Sequence, residues 1–222
     1  MKNYLLLIII AICIGIIIPS KVYAVDATLG ANTWYMWSSE GGDVDPGFLI
    51  GPALSVKFNN DFNLTFVYLY GKFTAKNDYG ENFKIKRYDS DLALNYRLNN
   101  YFKAFAGVKY IGYKSSSEGI ESDSWGPGIG LSCTFPIIYN FFLLGTLSGF
   151  YLWSTDDYEN DGKDKYKSYG FNSTLSIAYY VAHESIALSL GWRYQYFIYS
   201  NDADNQRFHG LTVAATYSFA IN

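Results

Sequence analysis

Residues 88–110 read YDSDLALNYRLNNYFKAFAGVKY, and the parity of this stretch decides the fold. Odd positions carry Asp89, Asp91, Ala93, Asn95 and Arg97, then, past Asn99-Asn100-Tyr101, Lys103, Phe105, Gly107 and Lys109. Even positions carry Tyr88, Ser90, Leu92, Leu94, Tyr96 and Leu98, then Phe102, Ala104, Ala106, Val108 and Tyr110. Successive side chains of a strand point to opposite faces, so one face is polar and the other apolar. Pairing Leu98 with Phe102 across the three-residue turn makes each facing pair of residue numbers sum to 200, which sets Asp91 beside Lys109 and Arg97 beside Lys103. Both faces stay consistent through the hairpin, and a slip of one residue would invert them. The apolar face runs about nine to eleven residues per strand, the span a tilted strand needs to cross a bilayer. The stretch reads as one hairpin of a transmembrane β-barrel.

The first 24 residues stand apart from this pattern. Lys2 makes a basic start, an apolar run occupies 5–18, Pro19-Ser20 breaks it, and Val22 and Ala24 fit the −3 and −1 positions of a signal-peptidase site. An export signal over 1–24, cleaved after Ala24, is expected; the apolar run is short for a spanning anchor. Ile12 before Cys13 argues against lipidation. Lys2 and Lys21 leave with the signal, so 15 of the 17 basic side chains remain against 20 acidic ones, a formal charge of −5 over 25–222. That balance disfavours nucleic acid, which is held by Lys and Arg on phosphate. Cys133 is then alone, and no intramolecular disulfide can form. No run of eighteen apolar residues follows residue 24, so no helix spans a membrane. The whole sequence is 50% apolar and 19% aromatic, and an exported chain of this kind is either a secreted all-β domain or an outer-membrane barrel.

Outward from the 88–110 hairpin the chain divides into ten alternating segments, at 28–37, 48–58, 62–72, 88–98, 102–110, 125–135, 141–153, 169–181, 186–197 and 208–219. The first is weak, because Trp34 and Tyr35 fall on opposite faces, and the seventh is apolar on both faces, so eight strands is the alternative count. Phe58 pairs with Phe62 across Asn59-Asn60-Asp61 as Leu98 does with Phe102. In 125–135 one face is Gly126, Gly128, Gly130, Ser132 and Thr134, which suits the crowded inside of a narrow barrel. Long polar connections (38–46, 74–86, 114–124, 154–168, 199–207) alternate with short ones. Outer-membrane barrels show this asymmetry, with long extracellular loops, short periplasmic turns and both termini periplasmic. A secreted sandwich has no reason to segregate its loops. Aromatic residues gather at strand ends, Trp37, Trp125 and Trp153 on the loop side and Phe58, Phe102 and Phe141 on the turn side, as interfacial girdles require. Generic β-propensity of aromatic residues is the competing explanation.

The signal, the ten segments and the closing Tyr217-Ser218-Phe219 resemble small Gram-negative outer-membrane β-barrel proteins, the group around the OmpA membrane domain and OmpW. The likeness is architectural and covers the mature chain. It departs at Ala220-Ile221-Asn222, where the group usually ends on the aromatic residue itself. The resemblance implies insertion by the barrel-assembly machinery and contact with outer-membrane lipid and lipopolysaccharide.

Candidate chemistry begins with the lumen charges Asp89, Asp91, Arg97, Lys103, Lys109 and Arg193, accompanied by Asn95, Asn172 and Gln195. They form either a solute-selecting channel or an ion-pair network that plugs the interior. Barrels near eight strands are just filled by side chains, which favours the plug, with Asp91–Lys109 as its expected pair. His183, Glu184 and Ser185 are adjacent on a short turn, and neighbours there cannot converge as a triad. His209 with Asp156, Asp157, Asp202 and Asp204 resembles the acidic, His-bearing cleft of omptin proteases, although solvated polar loops account for the same residues. Asp157, Glu159 and Asp161 before Gly162 partly match the start of a calcium loop without its distal Glu, enough for weak divalent-cation binding or bridging to lipopolysaccharide. No phosphate loop or zinc spacing occurs, and neither a cofactor nor a catalytic residue is expected. Cys133 falls on the lipid face. The expectation is an all-β, up-and-down antiparallel transmembrane barrel of ten strands with a structural or surface-interaction role, its loops meeting any extracellular ligand. A narrow pore for small solutes is the alternative, and a membrane-embedded hydrolase using loop Asp and His209 the second.

Overall fold

Period-two alternation gives a chain extended strands whose backbone polar groups must pair with a neighbour, and here the pairing closes on itself. The computed structural model describes residues 25–39, 44–76, 82–115, 119–158, 162–181, 185–200 and 205–221. The signal segment, Glu159, Asp161, His183, Glu184, Asp202 and Asp204 lie outside the described residues. Ten strands follow in order: β1 (Val25–Ser38), β2 (Gly47–Lys57), β3 (Phe62–Lys76), β4 (Asn82–Arg97), β5 (Phe102–Ser115), β6 (Ile120–Ile138), β7 (Phe141–Tyr158), β8 (Gly162–Val181), β9 (Ile186–Tyr199) and β10 (Gln206–Ile221). Each pairs antiparallel with its chain neighbours, and β1 closes the barrel onto β10. The count is ten, so both weakly patterned segments are full strands.

The β4–β5 register is the one read from the 88–110 stretch, with Asp91 opposite Lys109 and Arg97 opposite Lys103. Its turn is tied by Asn99, whose Oδ1 accepts the N–H groups of Tyr101 and Phe102 at 2.8 and 2.9 Å. Asn59 does the same for Asp61 and Phe62 in the β2–β3 turn. Side-chain amides that mimic a backbone turn fix these two hairpins locally.

Two expectations change. The polar segments 74–86 and 154–168 are mostly paired strand: β3–β4 ladder pairs continue to Lys76 and Asn82, and β7–β8 pairs to Tyr158 and Gly162. A polar hairpin in water still satisfies its backbone through the ladder, so the strands project past the apolar belt. The inner face is also not simply polar. Trp34, Leu49, Leu69, Ile111 and Leu152 are fully buried and pack with Met36, Phe73, Phe150, Phe197 and Phe208 inside the barrel. Trp34 points inward and Tyr35 outward onto Phe48, which explains why β1 looked unpatterned. A ten-stranded ring is narrow enough for facing side chains to meet and form a dry core.

The outer face carries the belt. Phe48, Ile50, Ile129, Leu131, Leu147, Leu175 and Leu190 are all more than half exposed. Aromatic pairs rim it: Trp125–Trp153 at 5.1 Å and Trp37–Trp192 at 5.7 Å on one side, Phe62–Tyr96 at 5.0 Å and Phe141–Tyr179 at 4.9 Å on the other. A continuous apolar band of this extent is far larger than a water-soluble monomer exposes, and it matches the lipid-facing band of transmembrane barrels. On the inside, a Cβ added at Gly130 would lie 2.4 Å from the Phe105 ring, so the small inner face of β6 makes room for aromatic neighbours.

Candidate functional site: a charge layer across the lumen

Inward positions of β4 present Arg87, Asp89 and Asp91 in succession; β5 adds Lys109, β8 adds Asn172, and β9 adds Arg193 and Gln195. In a ring of ten, β4 and β9 stand five places apart, so contacts between them cross the full diameter. Asp89 is the hub. It accepts Lys109 Nζ at 2.9 Å, Arg87 Nη2 at 3.3 Å, Gln195 Nε2 at 3.3 Å and Arg193 Nη2 at 3.3 and 3.4 Å. Lys109 Nζ also donates to both Asp91 oxygens, at 3.0 and 3.2 Å, and Arg193 Nη2 stands 3.8 Å from Asp91. Arg193 Nε donates to Asn172 Oδ1 at 3.0 Å, and Arg87 Nη2 to Gln195 Oε1. Four donor side chains on one carboxylate is the degree of saturation a buried charge needs.

The layer is continuous with the apolar core on its loop side. The Arg87 guanidinium lies 4.2 Å from the Phe208 ring and 5.4 Å from Trp34, and Arg193 lies 4.4 Å from Trp34. Aromatic faces carry negative potential, so they hold both cations. A cavity of about 510 Å³ on the turn side reaches Asp91, Lys109 and Arg193. Another of about 330 Å³ on the loop side reaches Arg87 and Phe208. Asp89 and Gln195, 1% and 0% exposed, border neither cavity. The two chambers are separated by packed side chains.

Of the six lumen charges expected from sequence, the structure brings together Asp89, Asp91, Lys109 and Arg193. Arg97 and Lys103 face each other but stand at the turn end, six residues from the layer, about 20 Å at the rise of a strand. Both are exposed, and Arg97 donates to the Asn99 carbonyl and to Asn100 instead. Asn95 bonds Thr65 and the Asn63 carbonyl, also below the layer. Arg87 lies one residue before the 88–110 stretch, next to the polar segment 74–86, so the parity of that stretch does not reach it. Extending the same register three pairs past Ser90–Tyr110 pairs it with Tyr113 and places it inward.

The catalytic alternatives that fall on described residues are dispersed. His209 faces outward, stacked on Trp37 at 6.0 Å and Trp192 at 5.5 Å. Asp156 accepts from the Tyr166 hydroxyl at 3.0 Å on the inner side, while Asp157 pairs with Lys163. His209 and Asp156 are thus on opposite sides of the barrel wall. Among the described residues no group of three or more His, Cys, Asp or Glu is arranged to hold a metal ion. Cys133 is partly exposed and unpaired.

The closed barrel is similar to solved outer-membrane proteins. It superposes on the outer membrane protease OmpT from Escherichia coli with a TM-score of 0.52 and 12% identity, over 90% of this chain and 99% of that one. It superposes on the β domain of the Bordetella autotransporter BrkA with a TM-score of 0.50 and 8% identity, over 90% of this chain and all of that one. No family model matches the chain, and no curated protein matches its sequence. At these identities the likeness is one of fold: this chain has the fold of an outer-membrane β-barrel, and no residue role carries over from either protein.

Proposed function

We propose that this protein resides in the outer membrane as a barrel with a blocked lumen and serves a structural or surface-interaction role, neither conducting solutes nor catalysing a reaction. What supports the block is the contact of Asp89 on β4 with Arg193 and Gln195 on β9, diametrically across the ring, with Arg87 and Lys109 filling the gap. A passing ion would have to separate buried paired charges, each separation costing about 3–5 kcal/mol. The apolar belt supports the membrane location. In the orientation shared by such barrels, the paired polar strands project outward and both termini face the periplasm.

Lipopolysaccharide is the partner the outer rim favours. Lys72 and Lys86 face each other on neighbouring strands, Lys86 faces Lys114, and this row lies just beyond Tyr70 and Tyr88 of the girdle. Like charges directly opposite are unfavourable. Glu121 pairs with Lys114 at 3.3 Å, and phosphate groups at the lipid surface would neutralise Lys72 and Lys86.

Single-channel recording in planar bilayers tests the block. Silence of the wild type, together with discrete current steps once Asp89 is replaced by Asn, is the expected result. Discrete steps from the wild type would overturn the blocked lumen and favour the narrow pore. A heat-dependent gel shift of the protein from outer-membrane fractions tests the location.

A further inference from the structure

The loop-side chamber contains a cation with unused hydrogen-bonding capacity. Arg87 is fully buried; its Nη2 is occupied by Asp89 and Gln195, but Nε and Nη1 have no partner among the described residues. Asp89 is also shared with Lys109 and Arg193, so Arg87 has no carboxylate to itself. Two more buried donors line the same chamber without a partner among the described residues, the hydroxyls of Tyr113 and Ser115. Burial pushes the Tyr113 phenol, which lies beyond the aromatic girdle, up to about 12, so it stays a neutral donor. The acidic group on the wall, Asp156, is engaged by Tyr166. The remaining wall includes Met36, Phe73, Ile85 and Phe208. Buried donors are ordinarily satisfied. Several left open around one apolar chamber of about 330 Å³, within the size range of small-ligand sites, are organised for an acceptor that no described residue supplies.

We propose that this chamber binds a small amphipathic monoanion, an aromatic or branched carboxylate that enters carboxylate-first. Its carboxylate accepts from a free guanidinium N–H of Arg87 and from the Tyr113 hydroxyl, and its apolar body lies against Met36, Phe73 and Phe208. The site uses only the chamber above the charge layer and does not depend on whether the lumen conducts.

The test uses the full chain in detergent micelles, titrated with 4-(trifluoromethyl)benzoate and, separately, with the neutral isostere 4-(trifluoromethyl)benzamide, each followed by fluorine NMR. Saturable benzoate binding at least about tenfold tighter than benzamide is expected, the worth of one charge-assisted hydrogen bond. Arg87→Met should bring benzoate down to the benzamide level. Arg87 also holds the charge layer, so Tyr113→Phe provides a second variant that removes only a hydroxyl unpartnered among the described residues; it should weaken benzoate several-fold and benzamide, whose carbonyl is the weaker acceptor, by less. Equal affinity of the wild type for the two probes, or saturable binding of neither, would overturn the proposal. So would benzoate affinity that survives both substitutions.

Discussion

Asp89→Asn isolates what the charge layer does. Asn has nearly the shape of Asp, so packing is kept while one negative charge is removed from contact with three cations. At an effective dielectric constant near 20, the attraction to Lys109 at 2.9 Å is about 6 kcal/mol, and to Arg87 and Arg193 at 3.3 Å about 5 kcal/mol each. These are gross values. Lys109 keeps Asp91, and the chambers above and below rehydrate the freed cations, so the net cost falls to the roughly 3–5 kcal/mol seen when one partner of a buried ion pair is removed. Urea unfolding from lipid vesicles, followed by tryptophan fluorescence, should show that loss. Adding Arg87→Met to Asp89→Asn should recover part of it, because Asp89 is the carboxylate Arg87 pairs with and the second change withdraws the cation left in excess. An Asp89→Asn protein within about 1 kcal/mol of wild type, a change ordinary for a surface site, and as silent in planar bilayers, would refute the claim that this carboxylate holds the layer together.

Three further expectations follow from placement. Leu94→Arg puts a charge on the lipid-facing side near the belt's middle and should cost about 2–4 kcal/mol, whereas Ser189→Arg, whose cross-strand partners are Ala178 and Ala214, projects into the turn-side chamber and should leave assembly intact by heat-shift gel. Trp34→Ala empties the largest fully buried side chain and should cost about 3–5 kcal/mol in the same urea titration. Trp34→Phe keeps a ring against Arg193 and drops an indole N–H that has no partner among the described residues, so its cost should stay below about 1.5 kcal/mol. Lys86→Ala, at the middle of the lysine row, should lower retention on lipopolysaccharide-containing vesicles and leave phosphatidylcholine vesicles unaffected; equal retention would count against the rim as a phosphate contact.

Hairpins were legible because their information is local. The Asn99 turn and the parity on either side of it sit within about two dozen residues, so the β4–β5 register could be read without knowing anything else in the chain. The same parity separated Leu175 and Ile177, which face out, from Asn172 and Thr174, which face in. Where an inward position is apolar, parity loses its contrast. Trp34 beside Tyr35, and Phe150 and Leu152 in β7, looked ambiguous for that reason and prove to be the dry part of the lumen. Arg97 and Lys103 had the right parity but the wrong height, and parity says nothing about depth along the barrel axis.

Sequence alone determined the strands, the pairing across each readable turn, and which residues of most strands share a face, since all three depend on neighbours a few positions apart. Tertiary structure decided which inward residues meet. Asp89 touches Arg193 and Gln195, more than a hundred positions away, only because ten strands close into a ring that sets β4 opposite β9 at side-chain reach. A ring of another size would offer the same inward residues different partners across its lumen. The contacts across the lumen and the Arg87 donors left open among the described residues are consequences of that circumference, which no single hairpin encodes.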